Sequence, residues 1–229
     1  MTVDIKRLAQ HLNLSIGTVS RALNDRPDVN PETRRRVREA AQELGYVPNQ
    51  SGRSLRRGAT GVVGFMMQTG HEITGQGDAF FMSIFDGIQT VLSRHHLDLV
   101  ALLCPSDENA TDFLKRMVAR GFADGLIISS TQHVDPRIDY LAESRMPFVT
   151  LGRSSTEAGQ PWLDIDFAEM ARQAVDRLVA RGHRRIAITL PHDDANLGHV
   201  FVEAARTALA AHGLALDPAL EIPFLPNEA

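Results

Sequence analysis

Polar side chains suited to contacting a nucleic acid alternate with apolar ones in residues 14–23, LSIGTVSRAL. The apolar positions recur at the spacing of a helix, so one face of that helix can pack against a core. The other positions include Thr18 and Ser20, whose hydroxyl groups can donate to phosphate, and Arg21, whose guanidinium can bind guanine or phosphate through two hydrogen bonds. The stretch therefore predicts a nucleic-acid contact or, as the plainer alternative, the polar face of a small helical bundle.

Two short helices joined by a tight turn would present this stretch. Asp4 suits the N-cap of a helix over residues 5–12, Asn13 suits a left-handed turn, and Ser15 can cap a second helix over residues 16–23. This order and spacing indicate a helix-turn-helix, whose second helix enters the DNA major groove by its N-terminal end.

The crossing of the two helices decides which residues face outward. Ala9 is small enough to let Val19 approach closely, which leaves Ile16 and Gly17 nearest the base edges. A third helix is predicted over residues 31–44, because an Asn-Pro pair opens it and a glycine follows it.

Charge is divided unevenly along the chain. Residues 1–60 contain 11 Lys and Arg against 6 Asp and Glu, a net charge of +5, whereas residues 61–229 contain 13 against 22, a net charge of −9. A basic head on an acidic body indicates that the head alone meets a polyanion.

A segment rich in glycine, proline and arginine separates the helical head from the rest of the chain. We therefore predict a DNA-binding domain over residues 1–47, a hinge over residues 48–60 and a larger domain over residues 61–229. In the larger domain, strands are predicted at residues 62–67, 97–104, 125–129, 148–151, 185–190 and 220–224, and helices at residues 82–94, 111–120, 168–181 and 200–212. This alternation predicts an α/β fold with a doubly wound, mostly parallel sheet.

No catalytic, metal or cofactor site is predicted. The glycine-rich residues 75–80, GQGDAF, lack the third glycine of a dinucleotide loop, and residues 191–196, PHDDAN, are typical of a solvated loop. Cys104 ends an apolar strand, which favours a buried structural thiol over a nucleophile.

Composition favours a cytoplasmic protein. The chain has 229 residues and no apolar run near the roughly 20 residues of a membrane span, so no membrane contact is expected. Its start lacks the pattern of a signal peptide, and its single cysteine agrees with a reducing compartment.

The motifs TVSRALN, VNPETRRRV and AAQELGYVPN, in this order, resemble the DNA-binding head of the LacI/GalR family of bacterial transcription repressors. The motifs GDAFFMSIFDGI, ADGLIIS, PFVTLGR and LVARGHRRIAI resemble the effector domain of the same family, which is similar to periplasmic sugar-binding proteins. The resemblance implies a first lobe over about residues 61–161 and a partial second lobe over about residues 162–229. The family's second lobe is larger, so we expect a C-terminally truncated chain.

The resemblance also implies which residues contact DNA. Ile16 and Gly17 would select the operator sequence, and a hinge helix would fold on the operator and insert Leu55 into its minor groove. Relatives usually carry alanine where this chain has Gly52, a departure that weakens the hinge helix because glycine is a poor helix former. The full predicted set is Ser15, Ile16, Gly17, Thr18, Ser20, Arg21, Asn24, Asn49, Gly52, Arg53, Leu55 and Arg56.

A small-molecule effector is expected in the cleft between the lobes, at the carboxyl ends of the strands. Phe80 and Phe81 could stack on a sugar or belong to the core, and Phe201 stands where many relatives carry a ligand-binding arginine. The predicted cleft residues are Gln68, Asp78, Phe80, Phe81, Arg153, Asn196 and Phe201.

The sequence as a whole predicts a dimeric transcription repressor that binds a palindromic operator and responds to a sugar-like effector. The alternative is a cytoplasmic solute-binding or sugar-modifying protein with an accessory helical head. Activation instead of repression remains open.

Overall fold

A computed structural model describes residues 3–46, 58–69, 76–190 and 194–223. The chain divides into two compact units, Met1–Thr60 and Gly61–Ala229, and each is described by itself. The predicted hinge residues Asn49, Gly52, Arg53, Leu55 and Arg56 lie outside the described residues.

Three helices form the first unit, as predicted. Asp4 and Ser15 each accept a hydrogen bond from the main-chain N–H three residues further on, at 2.8 and 3.0 Å, and Asn30 accepts one from two residues further on, at 2.8 Å. Asn13 ends the first helix with a φ of 53°, the left-handed turn expected for asparagine. The helices are α1 (Ile5–Leu12), α2 (Ile16–Leu23) and α3 (Pro31–Glu43).

A small apolar core holds these helices together. Leu8, Val19 and Val37, one from each helix, are fully buried, and Ala9 lies with them as the predicted close crossing requires. The guanidinium of Arg34 donates to two main-chain carbonyls of the loop between α2 and α3, at 2.9 and 3.1 Å. The loop is therefore tied to α3 by a side chain as well as by packing.

A parallel five-stranded sheet forms the first lobe of the second unit. The strands lie in the order β2-β1-β3-β4-β5, and every neighbouring pair is parallel. The sequence did not predict β5, which has only two residues at the sheet edge and so carries no periodic pattern. The strands are β1 (Val62–Gln68), β2 (Asp98–Cys104), β3 (Gly125–Ser129), β4 (Phe148–Leu151) and β5 (Trp162–Leu163).

Helices cover this sheet from opposite sides. Met66 of β1 packs into the core beneath α5 and α6, whereas its neighbour Phe65 makes an edge-to-face contact with Phe85 of α4, with ring centroids 4.8 Å apart. Successive strand residues point to opposite faces, so both sides of the sheet are occupied. The helices are α4 (Gln76–Arg94), α5 (Ala110–Ala119) and α6 (Pro136–Glu143).

The second lobe has its own core. Val175, Ala205 and Leu209 bring α7 and α8 together, and Ile188 of β6 joins them. Helix α8 begins four residues before its predicted start, and β6 is three residues shorter than predicted. The elements are α7 (Phe167–Ala180), α8 (Asn196–Ala211), β6 (Ile188–Leu190) and β7 (Glu221–Pro223), with β6 and β7 parallel.

A buried ion pair fixes the loop that follows β3. Asp135 is fully buried and Arg137 is 4% exposed, and the guanidinium donates to both carboxylate oxygens, at 2.9 and 2.7 Å. The same guanidinium donates to the carbonyl of Ser130 at 2.9 Å, and the carboxylate accepts from the N–H of Gln132 at 3.1 Å. Both ends of the loop therefore depend on the pair.

Asp135→Asn is expected to lower the free energy of unfolding by about 3–5 kcal/mol, because it leaves the Arg137 guanidinium buried without its counter-charge. Denaturant unfolding of the purified protein measures this loss. Glu108→Gln, which breaks the exposed Glu108–Arg116 pair, is the control and should change stability little. An equal loss in the two variants would contradict the role given to burial.

Candidate functional site

The N-terminal end of α2 is the exposed part of the helix-turn-helix. Ile16 is 39% exposed, unlike Val19 one turn later, so Ile16 does not complete the packing face that the apolar spacing allows. Gly17 is exposed, and a side chain at this position would meet only the Ser15 hydroxyl, at 3.7 Å. This end of the helix offers an apolar side chain and a bare backbone for contact with another molecule.

Two of the predicted DNA-contacting hydroxyls already take part in capping. The Ser15 and Thr18 hydroxyl oxygens are 2.9 Å apart, and Ser15 also accepts from the N–H of Thr18. Asn24 closes the other end of α2, because its side-chain amide donates to the carbonyl of Ser20 at 2.7 Å. These residues shape the helix at both ends.

Arg21 has an acidic neighbour inside the unit. Its Nε lies 3.5 Å from the Asp28 carboxylate, and both side chains are more than half exposed. An exposed pair of this kind is weak, so the guanidinium is available to a stronger partner such as a phosphate or a guanine.

A cavity of about 780 Å³ opens in the second unit near the carboxyl ends of β3, β4 and β5. Its walls are mostly apolar, and its polar groups converge from the loops after these strands. Parallel sheets characteristically bind ligands at this edge. The lining residues are Phe65, Phe80, Phe81, Ile84, Ile88, Ile127, Ser129, Ser130, Thr131, Val149, Thr150, Leu151, Gly152, Arg153, Leu163, Asp164, Ile165, Phe167 and Leu197.

An acid and a base share one side of this cavity. The Asp164 carboxylate accepts from the main-chain N–H of Arg153 at 2.9 Å and from its Nε at 3.3 Å. The Arg153 guanidinium also lies over the Trp162 ring, 5.4 Å from its centroid. The side chain of Asp164 is only 9% exposed. The pair is neutral overall, so it can donate to and accept from hydroxyl groups without selecting a charged ligand.

Sequence reasoning named Arg153 but missed Asp164. The two side chains are eleven residues apart and meet only because β4 and β5 pair in the sheet. A carboxylate directly after the apolar pair of β5 was the only sequence signal for this residue.

Both predicted phenylalanines of α4 line the cavity. Phe80 is 47% exposed and contacts Phe81 edge to face, with centroids 5.4 Å apart. Phe81 also approaches Phe65 of the sheet, at 6.3 Å. The two alternatives for this pair therefore both have support, since Phe81 joins the aromatic packing against the sheet while Phe80 is open to the cavity.

Three other predicted cleft residues do not line the cavity. Gln68 ends β1 beside Cys104, and Phe201 packs against the second core. Asn196 is 95% buried, and its side chain is engaged, because Oδ1 lies 3.0 Å from His133 Nδ1 and Nδ2 donates to the carbonyl of Arg153 at 2.9 Å. Asp78 belongs to α4, and its side chain lies outside the described part of the structure.

Gly152 lets the loop after β4 approach the loop after β3. Its φ is +117°, and a Cβ atom there would lie 2.5 Å from the Thr131 hydroxyl oxygen. That hydroxyl donates to the carbonyl of Arg153 at 2.7 Å, which fixes the backbone next to the acid–base pair.

Cys104 is buried at the end of β2. Burial raises the pKa of the Cys104 thiol, which keeps it protonated and unreactive. No group of three His, Cys, Asp or Glu residues in the described ranges could hold a metal ion.

None of the helices described is both long and apolar enough to cross a membrane.

Two family models match the chain in succession. Residues 4–49 match the model described as bacterial regulatory proteins of the lacI family. Residues 67–223 match the model of periplasmic binding proteins and the sugar binding domain of the LacI family. The chain belongs to the LacI family of bacterial regulatory proteins. The resemblance found in the sequence motifs is thereby confirmed.

Individual relatives agree with this membership. The chain is 36% identical over 222 residues to the HTH-type transcriptional regulator AglR of Rhizobium meliloti (strain 1021), covering 96% of this chain and 61% of that protein. It is 36% identical over 225 residues to the HTH-type transcriptional regulator RafR of Escherichia coli, covering 96% of this chain and 64% of that protein. The chain thus spans about three fifths of the length of these curated relatives.

Solved structures show the same fold. A complex of the transcriptional regulator CelR with cellobiose is 29% identical, with a TM-score of 0.61, and the match covers 96% of this chain and 65% of that one. The Lac repressor dimer bound to operator and the anti-inducer ONPF has a TM-score of 0.81 at 19% identity, over 97% of this chain and 66% of that one. The second likeness concerns the fold alone.

Gly152→Ala is expected to lower the free energy of unfolding by about 1–3 kcal/mol through its clash with Thr131, in addition to the backbone strain of a positive φ. Gly159→Ala is the matched control, because its φ is +74° but its added Cβ meets nothing within 4 Å. Thermal unfolding of both variants separates the clash from the strain. Equal losses in the two variants would show that contact with Thr131 contributes nothing.

Proposed function

We propose that this chain is a sequence-specific DNA-binding transcription regulator, and a repressor in its basal state. The observation that carries the proposal is the exposed N-terminal end of α2, with Ile16, Gly17 and Arg21 available on a capped helix. The net charge of +5 over residues 1–60 favours approach to DNA, and the charge of −9 over the remainder disfavours contact there. The relatives AglR and RafR bear the name of transcriptional regulators.

DNA contacts are assigned to α2 and to the hinge. Ile16 suits a thymine methyl group, and Arg21 suits guanine or phosphate once it leaves Asp28. Ser15, Thr18, Ser20 and Asn24 are assigned to helix capping and phosphate contacts. The hinge residues Asn49, Gly52, Arg53, Leu55 and Arg56 keep the DNA-binding role that the family resemblance implies, with Leu55 as the residue that enters the minor groove. A homodimer on a palindromic operator completes this proposal, with the cytoplasm as its location.

The effector is a neutral sugar or sugar derivative held in the cavity of the second unit. The aromatic faces of Phe80 and Phe81 suit the apolar face of a pyranose, and the Arg153–Asp164 pair suits its hydroxyl groups. The solved CelR structure contains cellobiose, which makes disaccharides the first ligands to test. Asn196 is assigned to holding the Arg153 backbone and Phe201 to packing against the second core, instead of ligand contact.

The competing proposal is a solute-binding or sugar-modifying protein with an accessory head. A solute-binding protein would not need the exposed, capped end of α2 or the net charge of +5 over residues 1–60. A sugar-modifying enzyme would need a catalytic pair, which the described residues that line the cavity do not supply. The regulator accounts for both units, and we propose no enzymatic activity.

DNA binding by the full chain is expected to weaken steeply with salt. Operator sequences selected from random DNA provide the probe, and log affinity should fall against log salt by nearly one unit of slope for each phosphate contact. Arg21→Ala should cost about 1–3 kcal/mol per half-site if Arg21 contacts a base. Arg120→Ala, an exposed arginine of the second unit, is the control and should bind as the unmodified protein does. A flat salt response, or normal operator binding by Arg21→Ala, would refute the assignment.

Effector binding is tested by calorimetry with a panel of disaccharides that includes cellobiose, using the full chain. Asp164→Asn is expected to weaken binding roughly ten- to hundredfold, because hydrogen bonds to a charged group contribute about 1.5–3 kcal/mol. Phe201→Ala is the control, and it should lower the melting temperature while leaving ligand affinity unchanged. The cavity assignment fails if Phe201→Ala abolishes binding while Asp164→Asn does not.

A further inference from the structure

The two faces of the sheet in the first lobe are covered to different degrees. Leu126 and Ile128 of β3 pack with α5 and α6 and are at most 4% exposed. Ile127 points to the opposite face, as the alternation of a strand requires, and it is partly exposed. Val149 of β4, which pairs with Ile127, is 38% exposed although β4 is not an edge strand. The face toward α4 is therefore incompletely filled, whereas both faces of a parallel sheet are normally buried.

Helix α4 forms the opposite wall of this gap. Phe81, Ile84 and Ile88 line the cavity from one side of the helix, because residues three, four and seven apart share a helical face. All three side chains are partly exposed, and together they extend along about 10 Å of helix. We call the space between helix and sheet the apolar slot, and its walls are Phe65, Ile84, Ile88, Ile127 and Val149.

Polar groups of the cavity are concentrated at the carboxyl ends of the strands. The Arg153–Asp164 pair lies there. The hydroxyl groups of Ser129, Thr131 and Thr150 each donate to a main-chain carbonyl, at 3.0, 2.7 and 2.7 Å. Their protons are therefore already used within the protein. Among these residues, the acid–base pair is left to donate to a ligand and to accept from it.

A sugar ring placed in the apolar slot would lose hydrogen bonds. The backbone of β3 at Ile127 is paired with β1 on one side and with β4 on the other. The side chains that form the slot carry no polar atom. Each sugar hydroxyl moved there would give up its water without gaining a partner, at a cost in free energy. An apolar group has no such cost and gains from leaving water, so the slot favours an apolar group.

The cavity has room for a sugar ring and an apolar group together. Its volume of about 780 Å³ lies in the upper part of the range of roughly 300–1,000 Å³ that is typical of small-molecule sites. The Arg153–Asp164 pair and the apolar slot belong to this one cavity. A single ligand can therefore reach both.

We propose that the effector is a glycoside with an apolar aglycone, such as a phenyl group, instead of an unsubstituted oligosaccharide. The Arg153–Asp164 pair binds the sugar ring, and the aglycone enters the apolar slot. Ile88 and Val149 are then specificity-determining residues for the aglycone. This inference rests on the proposed function of the cavity as a sugar site, and it names the class of sugar derivative that the site takes.

Calorimetry with the full chain compares ligands that differ only in the aglycone. The probes are the methyl and phenyl glycosides of glucose and galactose, each as the α and the β anomer. The phenyl glycoside is expected to bind roughly ten- to hundredfold more tightly than the methyl glycoside of the same sugar, because the additional carbon atoms leave water. Phenyl β-glucoside should also bind more tightly than cellobiose, in which a second sugar ring takes the place of the phenyl group.

Val149→Phe fills the apolar slot from the sheet and should abolish the preference for phenyl over methyl glycosides. Val100→Phe is the matched control and should keep the preference, because Val100 is a strand valine that is 42% exposed and does not line the cavity. Asp164→Asn should weaken the binding of both glycosides alike and leave their ratio unchanged. Circular dichroism establishes that each variant is folded, and Ile88→Phe fills the slot from α4 should Val149→Phe unfold.

The possible failures can be told apart. Equal affinities for phenyl and methyl glycosides, or tighter binding of cellobiose than of phenyl β-glucoside, would overturn this inference and leave the sugar site in place. A preference that persists in folded Val149→Phe or Ile88→Phe would place the phenyl group outside the slot and overturn the inference as well. Binding of none of these ligands would overturn both this inference and the sugar effector itself.

Discussion

The main-chain carbonyl of Arg153 accepts two hydrogen bonds that together hold the cavity in shape. Thr131 donates from the loop after β3 at 2.7 Å, and Asn196 donates from the start of α8 at 2.9 Å. Two separate loops and a helix of the second lobe thus meet at one oxygen atom. Gly152 permits this because any larger residue would occupy the space of the Thr131 hydroxyl. The position of the Arg153 side chain against Asp164 depends on the same backbone.

In the first unit, the N-terminal end of α2 is exposed, and the helix must be stable without packing at that end. A short helix gains little from its own hydrogen bonds, so α2 depends on packing and on its caps. Ser15 satisfies the first turn and Asn24 the last, while Val19 is buried in the core. Ile16 and Arg21 belong neither to the caps nor to the buried core, so both side chains remain exposed for the proposed contact with DNA.

Local patterns were sufficient to predict the helices of the head and most of the larger domain. The caps at Asp4, Ser15 and Asn30 depend on single side chains and the N–H groups two or three residues away, so sequence neighbours contain all the information. The longer buried strands can be recognised in the sequence as apolar runs between turns. The sequence did not predict β5, because two residues at a sheet edge form no periodic pattern. The motifs that indicate family membership are equally local.

The sequence by itself therefore determined the helix-turn-helix, the parallel α/β class and the family. Only the tertiary structure decided which cavity residues meet. Asp164 contacts Arg153 because β4 and β5 pair. Asn196 donates its side-chain amide to the main-chain carbonyl of Arg153, which is 43 residues away in the sequence. For Phe201, helical periodicity alone does not determine whether its face of α8 contacts a ligand or packs against the second core. The structure shows that Phe201 packs against that core. Caps and strands arise from neighbours in sequence, whereas a binding site is made by side chains that only the packing of distant segments brings within hydrogen-bonding distance.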